Sequence, residues 1–122
     1  MAYEALKQDI ESKELCEFSQ LELLGLMKRF EYAFELCWHT FNDYLFYCGV
    51  SLVDTAPENI FKEFINLNIN KMASFNPVLL KEMITTRDDM PYMCDTERFM
   101  REMSKIKEVY VPEFKKMLAF VY

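Results

Sequence analysis

The 122-residue sequence predicts an all-α protein, an up-and-down bundle of four or five helices. Apolar side chains recur every three or four residues along most of the chain, which is the spacing of one face of an α-helix. Gly 2 and Pro 4 are low counts, whereas sandwiches and barrels need many tight turns. Hydrophobic residues make up 52% of the chain, as in globular proteins. We therefore expect a single helical domain over residues 1–122.

The first two predicted helices cover residues 2–15 and 20–49. The first is a short surface helix whose apolar positions are Tyr3, Leu6, Ile10 and Leu15. Ser19 and Glu22 fit an S-x-x-E capping box at the start of the second, and Gly49 supplies its C-terminal stop. The stripe of the second helix is Leu23, Leu26, Phe30, Phe34, Cys37, Phe41, Tyr44, Leu45 and Cys48. A stripe this long needs partners along its whole length, which again indicates a bundle.

The third predicted helix starts at a cap, Asp54 or Thr55, with Pro57 in its first turn, and ends in the Asn-rich 66–70. Its expected core positions are Ile60, Phe61, Phe64 and Ile65. Asn76 and Pro77 should begin the fourth helix. The residues expected to face inward there are Val78, Leu79, Met83 and Ile84.

Pro91 should end the fourth helix, since proline disfavours the α conformation at the preceding Met90. Asp95 or Thr96 then caps the last helix, which runs to about residue 120, and Pro112 should kink it. Its stripe is Phe99, Met103, Ile106, Tyr110, Phe114, Met117 and Val121. The excess of apolar surface on so few helices indicates a homodimer at micromolar concentration.

Net charge and cysteine spacing argue against some classes of function. The net charge of −6 argues against a general affinity for the nucleic-acid backbone. None of the four cysteines forms a C-x-x-C pair, so we expect no metal site and no cofactor, and reduced thiols that act as small core residues. No signal peptide opens the chain and no apolar stretch approaches a membrane span. We expect a cytoplasmic protein.

Charged residues interrupt the apolar pattern of the second helix at Arg29, Glu31, Glu35 and His39. The two acids lie one turn apart on one face, and His39 follows a turn later. They are either solvated surface charges or the lining of a polar cleft. Because unpaired charges are costly to bury, we expect at least one of the acids to lie close to Arg87 or Arg29.

The string at 26–45, LMKRFEYAFELCWHTFNDYL, resembles the R-F-E-[YF]-x-F-E-L-x-W-K-x-[LF]-x-D-Y-L signature of the nucleotidyltransferase substrate-binding proteins, within the HEPN superfamily. His39 stands where the family has lysine. TAPENIFKEFINLNI, at 55–69, is similar to the family segment S-P-R-x-x-I-K-E-A-F-x-L-G-L-I. The resemblance continues to about Cys94 and more weakly to the end.

The segment at 87–95, RDDMPYMCD, corresponds to the family turn R-N-x-x-x-H-x-Y-[DN]. Arg87 and Asp95 are kept, but asparagine has become Asp88, histidine Tyr92 and tyrosine Cys94. In relatives with the intact motif, which are ribonuclease toxins, the arginine would hold the scissile phosphate and the histidine would transfer protons. A phenol, with an ordinary pKa near 10, is a poor replacement for imidazole near neutral pH.

The resemblance implies a dimeric helical bundle that is encoded beside a minimal nucleotidyltransferase and acts as its partner. It places Arg87 near the dimer cleft and Arg87, Asp88, Tyr92, Arg29, Glu31, Glu35 and His39 as ligand-binding candidates. The preferred interpretation is a non-catalytic partner with a substrate- or nucleotide-binding cleft. The alternatives are a ribonuclease of a toxin–antitoxin pair, using Arg87 with Tyr92 or His39, and a structural dimer without ligand. Asp88 and Asp89 can also be read as plain turn residues.

Overall fold

The computed structural model describes residues 2–67, 76–93 and 95–121. Every regular element in these ranges is helical, which confirms the predicted fold class. The α-helices are α1 (Ala2–Ile10), α2 (Gln20–Tyr47), α3 (Pro57–Asn66), α4 (Pro77–Asp89), α5 (Thr96–Lys105) and α6 (Val111–Val121). Short 3₁₀ turns precede α2 and follow α4, at Leu15–Glu17 and Met90–Tyr92, and a π-helical turn, Ile106–Tyr110, joins α5 to α6.

Helix α2 has the predicted cap at each end. The Ser19 hydroxyl accepts a hydrogen bond from the Glu22 N–H at 3.1 Å, and the Glu22 carboxylate accepts one from the Ser19 N–H at 2.8 Å. At the other end Gly49 has a φ of +92°, where an L side chain would be strained. The N–H of Val50 bonds back to the Leu45 carbonyl at 2.9 Å, which completes a Schellman motif.

The core lies where the inner face of α2 meets α1, α3 and the C-terminal helices. Phe30 lies at its centre, with ring centroids 6.0 Å from both Tyr110 and Phe114. Leu6 and Ile10 of α1 are fully buried against this cluster. The buried Glu113 accepts a hydrogen bond from the Asn76 N–H at 2.6 Å, so α6 is tied to the start of α4. The bundle thus holds α2 and α4 side by side.

Several predicted boundaries were wrong by a few residues. Helix α1 ends at Ile10 rather than near 15, because the chain turns there before the 3₁₀ segment. The N-cap of α3 is Ala56, and Asp54 instead accepts a hydrogen bond from the Ala56 N–H at 3.1 Å. Asn76 and Asp95 are N-caps as predicted. The predicted end of α3 at 66–70 lies partly outside the described residues.

Some predicted core positions were also wrong. Val78 is 64% exposed, because it lies on the opposite side of α4 from Leu80, which is buried with Met83 and Ile84. Ile65 is exposed, whereas Ile60 and Phe64 are buried. The last helix buries Met103, Ile106, Tyr110, Phe114 and Met117 as predicted. The side chain of Val121 lies outside the described residues.

The backbone around Pro91 and Pro112 differs from what the sequence predicts. Met90, before Pro91, keeps a helical backbone with φ −54° and ψ −43°, and the chain continues as a 3₁₀ turn to Tyr92. Burial of the Met90 side chain offsets the local preference against this conformation. Regular α geometry gives way to the π-helical turn directly before Pro112, which lacks the N–H needed for an α-helical bond.

Only one described cysteine is a core residue. Cys37 is buried, and burial raises the pKa of its thiol to about 12. Cys16 and Cys48 are exposed, since one lies in the 3₁₀ turn and the other at the end of α2. The prediction of core thiols was therefore wrong for these two, and Cys94 lies outside the described residues. In the ranges that the structure describes, no helix is long and apolar enough to cross a bilayer.

Candidate functional site

A small cavity of about 130 Å³ opens where α2, the start of α3 and the end of α4 meet. We call it the Arg87 pocket. Its lining residues are Phe34, Glu35, Trp38, His39, Asn42, Thr55, Pro57, Ile60 and Arg87. The α2 residues come from adjacent turns of one side of that helix, at its boundary with the core. The pocket therefore lies against the part of α2 that carries the family-like signature.

Arg87 lies in the last turn of α4 and reaches across to α2. Its Nη2 donates to Glu35 Oε1 at 2.7 Å, and its Nη1 donates to Asp88 Oδ1 at 3.3 Å. The guanidinium carbon lies 5.7 Å from the centre of the Phe34 ring, within cation–π range. The hydrogen bond to Glu35, followed by the contact with Asp88, raises the pKa of Arg87 above its ordinary value. The side chain is a fixed positive charge in the pocket wall.

Two polar atoms beside this cavity are buried without a hydrogen-bond partner among the described residues, Trp38 Nε1 and Arg87 Nε. Both are donors, and both residues line the pocket. A buried donor without an acceptor costs about 1–3 kcal/mol, so such atoms are uncommon in cores. The pocket wall therefore concentrates donors around Arg87, with Glu35 as the facing acceptor.

The structure brings together some of the predicted site residues and separates others. Glu35, His39 and Arg87 share the pocket, and Asp88 contacts Arg87 from the neighbouring position. The expectation that an acid of α2 lies close to Arg87 is confirmed by Glu35. Glu31 instead pairs with Lys28 at 3.1 Å. The ligand-binding roles assigned to these residues remain predictions.

Arg29 and Tyr92 do not line the Arg87 pocket. Arg29 donates to Asp9 of α1 at 2.9 Å, and it lies about 120° around α2 from Glu35. Tyr92 is 84% exposed at the end of the 3₁₀ turn. That turn carries the chain away after Asp89, so Tyr92 does not line the cavity.

A buried polar cluster beside Arg87 was missed by the sequence reasoning. Thr86 donates to Glu102 Oε2 at 2.9 Å and lies 3.1 Å from the Tyr110 hydroxyl. Burial raises the pKa of Tyr110, and the Glu102 carboxylate adds to this effect. The available signal was a tyrosine in an otherwise apolar stripe, since a buried phenol needs a polar partner. This cluster fixes the last turn of α4 against the C-terminal helices, and so positions Arg87.

A larger groove, of about 430 Å³, lies between the start of α2 and the start of α5. Its lining residues are Gln20, Leu23, Leu24, Met27, Met90, Pro91, Met93, Asp95, Thr96, Phe99 and Met100. Of these residues, the sequence patterns placed Leu23 and Phe99 on the core stripes of their helices. Across the described residues, no three His, Cys, Asp or Glu side chains are arranged to hold a metal ion.

The comparison with known families matches almost the whole chain. A family model described as nucleotidyltransferase substrate binding protein like matches residues 1–121. The chain belongs to this family. This confirms the resemblance drawn from the α2 signature, and it supports a binding role toward a nucleotidyltransferase for this substrate-binding-like protein. No curated protein matches the chain.

Proposed function

We propose that this protein is a non-catalytic partner of a minimal nucleotidyltransferase encoded nearby, that it acts as a homodimer, and that the Arg87 pocket is its ligand site. The family match over residues 1–121 is the observation that carries the partner role. The pocket supports the ligand role because it joins a fixed cation, a facing carboxylate and aromatic walls in one small cavity.

The chemistry of the pocket favours part of a nucleotide as ligand. A guanidinium binds phosphate oxygens through paired N–H donors. Glu35 and Asp88 already occupy Nη2 and Nη1, and both repel a phosphate. A phosphate group therefore has to displace Glu35 from Arg87. Glu35→Gln, which removes the competing charge, should raise nucleotide affinity, and Arg87→Ala should lower it.

A pull-down with the neighbouring gene product tests the partner role. We expect the two proteins to co-purify as a defined complex. Binding of a nucleoside triphosphate to that complex, measured by calorimetry, should fall at least about tenfold in Arg87→Ala, since a charge-assisted contact is worth about 1.5–3 kcal/mol. Arg29→Ala is the matched control, because its ion pair lies outside the pocket. Absence of a complex contradicts the partner role, and equal loss in both variants contradicts the site.

The second candidate is a ribonuclease, and one observation favours it: His39 lines the same cavity as Arg87. Histidine is the side chain that most often serves as a general acid or base in enzymes. Against it, Glu35 occupies Arg87, and the Tyr92 phenol is exposed outside the cavity. We expect no metal-independent cleavage of RNA by the purified protein.

A gel-based cleavage assay distinguishes the two candidates. It should compare the unmodified protein with Arg87→Ala, His39→Ala and Tyr92→His, on one RNA and in the presence of a chelator. Cleavage that is lost in both Arg87→Ala and His39→Ala would establish the ribonuclease and remove the non-catalytic interpretation. No cleavage by any of the four agrees with a binding protein.

A further inference from the structure

Trp38 is the single tryptophan of the chain, and it lines the Arg87 pocket. Its side chain is buried, and its indole N–H has no acceptor among the residues that the structure describes. A phenylalanine ring would pack in an apolar wall without bringing a donor, so packing alone does not account for the N–H. An unsatisfied donor beside a cavity indicates an acceptor that a water or a ligand supplies.

Arg87 has a second donor of this kind, on the edge of the guanidinium that Glu35 contacts. The Nε N–H and one N–H of Nη2 project in parallel from that edge, so one oxyanion can accept from both. Glu35 Oε1 accepts from Nη2 at 2.7 Å, whereas Nε is buried without an acceptor within the described ranges. Glu35 thus leaves half of this edge unused.

The Phe34 ring places both side chains beside the same cavity. The centroid of the Trp38 ring lies 6.0 Å from that of Phe34, and the Arg87 guanidinium carbon lies 5.7 Å from the Phe34 centroid. Trp38 also packs edge-on against Phe41, with 5.5 Å between the ring centroids. Because these contacts fix the indole, the direction of its N–H is set before a ligand binds.

The volume of the pocket limits what reaches these donors. Cavities that enclose a drug-sized ligand measure about 300–1,000 Å³, and this one measures about 130 Å³. It therefore takes one small group of a ligand rather than a whole nucleotide. Three N–H donors, two from Arg87 and one from Trp38, match a group that carries several acceptor oxygens, and a phosphoryl group has this character.

Glu35 is the group that leaves when such a ligand binds. Its side chain is 52% exposed, so its carboxylate can move into water while Arg87 remains over the Phe34 ring. Trp38 follows Glu35 by three residues on α2, so the two side chains lie on the same side of that helix. An anion that takes the place of the Glu35 carboxylate is therefore close to the indole.

We propose that Trp38 is a ligand-binding residue of the Arg87 pocket, and that its indole N–H donates to the phosphoryl group that replaces Glu35 on Arg87. Nε and Nη2 of Arg87 hold two oxygens of this group, and Trp38 holds a third. This inference rests on the ligand role in the proposed function. It adds a residue to that role and names the part of the nucleotide that enters the cavity.

Intrinsic fluorescence of the full chain, excited selectively at tryptophan, reports on Trp38 alone. Addition of a nucleoside triphosphate should change the emission, and inorganic phosphate should do the same at higher concentration. The nucleoside without phosphate should leave the emission unchanged. A nucleoside that acts at the same concentration as the triphosphate would overturn the assignment of the phosphoryl group. Calorimetric binding of the triphosphate without a change in emission would overturn the role of Trp38.

Two substitutions remove the donor and keep an aromatic wall. One is Trp38→Phe, and the other replaces Trp38 by benzothienylalanine, in which sulfur takes the place of the N–H. Each should weaken triphosphate binding about tenfold or more in calorimetry, as expected for loss of one hydrogen bond to a charged group. The benzothienylalanine chain should also melt at the same temperature or higher, because it lacks the unsatisfied donor of the ligand-free protein.

Phe64→Leu is the matched control, because Phe64 is a buried aromatic residue outside the lining of the pocket. It should lower the melting temperature and leave the affinity for the triphosphate unchanged. A loss of affinity in Phe64→Leu as large as in Trp38→Phe would show that Trp38 acts only through packing, and would overturn the inference.

The remaining outcomes separate this inference from the proposed function. Unchanged affinity in both Trp38 variants, with affinity still lost in Arg87→Ala, would overturn the role of Trp38 and leave the Arg87 site standing. A ligand-free role for the indole, such as a hydrogen bond to a bound water, gives this result. An unmodified chain that binds no triphosphate would overturn the inference together with the ligand site, whereas a complex with the nucleotidyltransferase would still support the partner role.

Discussion

Arg87 and Arg29 both lie in α-helices, but the structure places them in different environments. Arg29 borders a cavity of about 310 Å³ between α1 and α2, with a side chain 54% exposed and an ion pair to Asp9. We call this cavity the Arg29 pocket. Arg87 is 36% exposed, is held by two acids and lies over the Phe34 ring, and its buried Nε has no hydrogen-bond partner in the part of the chain that the structure describes.

The difference shows what distinguishes a structural ion pair from a candidate site. Arg29 joins two helices at the surface, where an ion pair contributes about 0–1 kcal/mol and leaves nothing unsatisfied. Arg87 is fixed by residues from two helices and by the neighbouring Thr86 cluster, and it faces a cavity. Charge held in place at a concave surface with unsatisfied donors is the arrangement expected of a binding site.

The floor of each pocket gives the largest expected contrast. Phe34→Ala, beneath Arg87, should lower the free energy of unfolding by about 3–5 kcal/mol, because the ring is almost fully buried in the core. Phe18→Ala, in the Arg29 pocket, should cost less than about 2 kcal/mol, since Phe18 is only half-buried. Urea denaturation of both variants measures this. Equal losses would mean that the Arg29 side is as rigidly packed as the Arg87 side.

Loss of a polar contact should also destabilise the protein more on the Arg87 side than on the Arg29 side. Thr86→Val leaves the Glu102 carboxylate and the Tyr110 hydroxyl without their shared partner in a buried place, and should cost about 1–3 kcal/mol. Ser12→Ala removes an exposed hydrogen bond to the Asp9 carbonyl and should change stability by less than about 0.5 kcal/mol. A neutral Thr86→Val, in the same denaturation assay, would show that the cluster does not position α4.

High pH should lower the contribution to folding stability from the polar cluster beside Arg87. The pKa of Tyr110 is raised from 10.0 by burial, so the folded chain keeps the phenol proton at pH values where the unfolded chain has lost it. The resulting stability is complete below about pH 10 and is lost as the pH rises further. Unfolding curves between neutral and alkaline pH should show this decline, and Tyr110→Phe should reduce it.

Tyr44, whose pKa burial also raises, is the matched comparison for that experiment. It is half-buried, so Tyr44→Phe should flatten the alkaline decline less than Tyr110→Phe does. An identical pH profile for the unmodified chain and Tyr110→Phe would contradict the assignment.

Low pH should lower the contribution to folding stability from the region around the Arg29 pocket. This is the smallest of the predicted stability effects. The pKa of Glu22 is lowered from 4.5 by the hydrogen bond from the Ser19 N–H and by Lys13. Its contribution is complete above about pH 4.5 and is lost as the pH falls below that value. Glu22→Gln should make the acid side of the stability curve slightly flatter. A steeper acid decline in that variant would show that the cap is not the cause.

The sequence by itself determined the helices and most of their caps. Ser19 with Glu22, Asn76 and Asp95 act through hydrogen bonds to backbone N–H groups two or three residues away, so a local pattern is sufficient to find them. The α2 signature also identified the family and selected the pocket residues Glu35 and His39, and the segment at 87–95 selected Arg87.

Only the tertiary structure decided which charges meet. Arg87 and Glu35 are 52 residues apart in the chain, and Arg29 found Asp9 on a different helix. Tyr92, selected by its place in the motif, is turned away by a 3₁₀ turn that the burial of Met90 stabilises. Local patterns set which residues share a helix face, but the packing of whole helices sets which faces approach each other. Because that packing sums many weak apolar contacts, no short stretch of sequence reveals it.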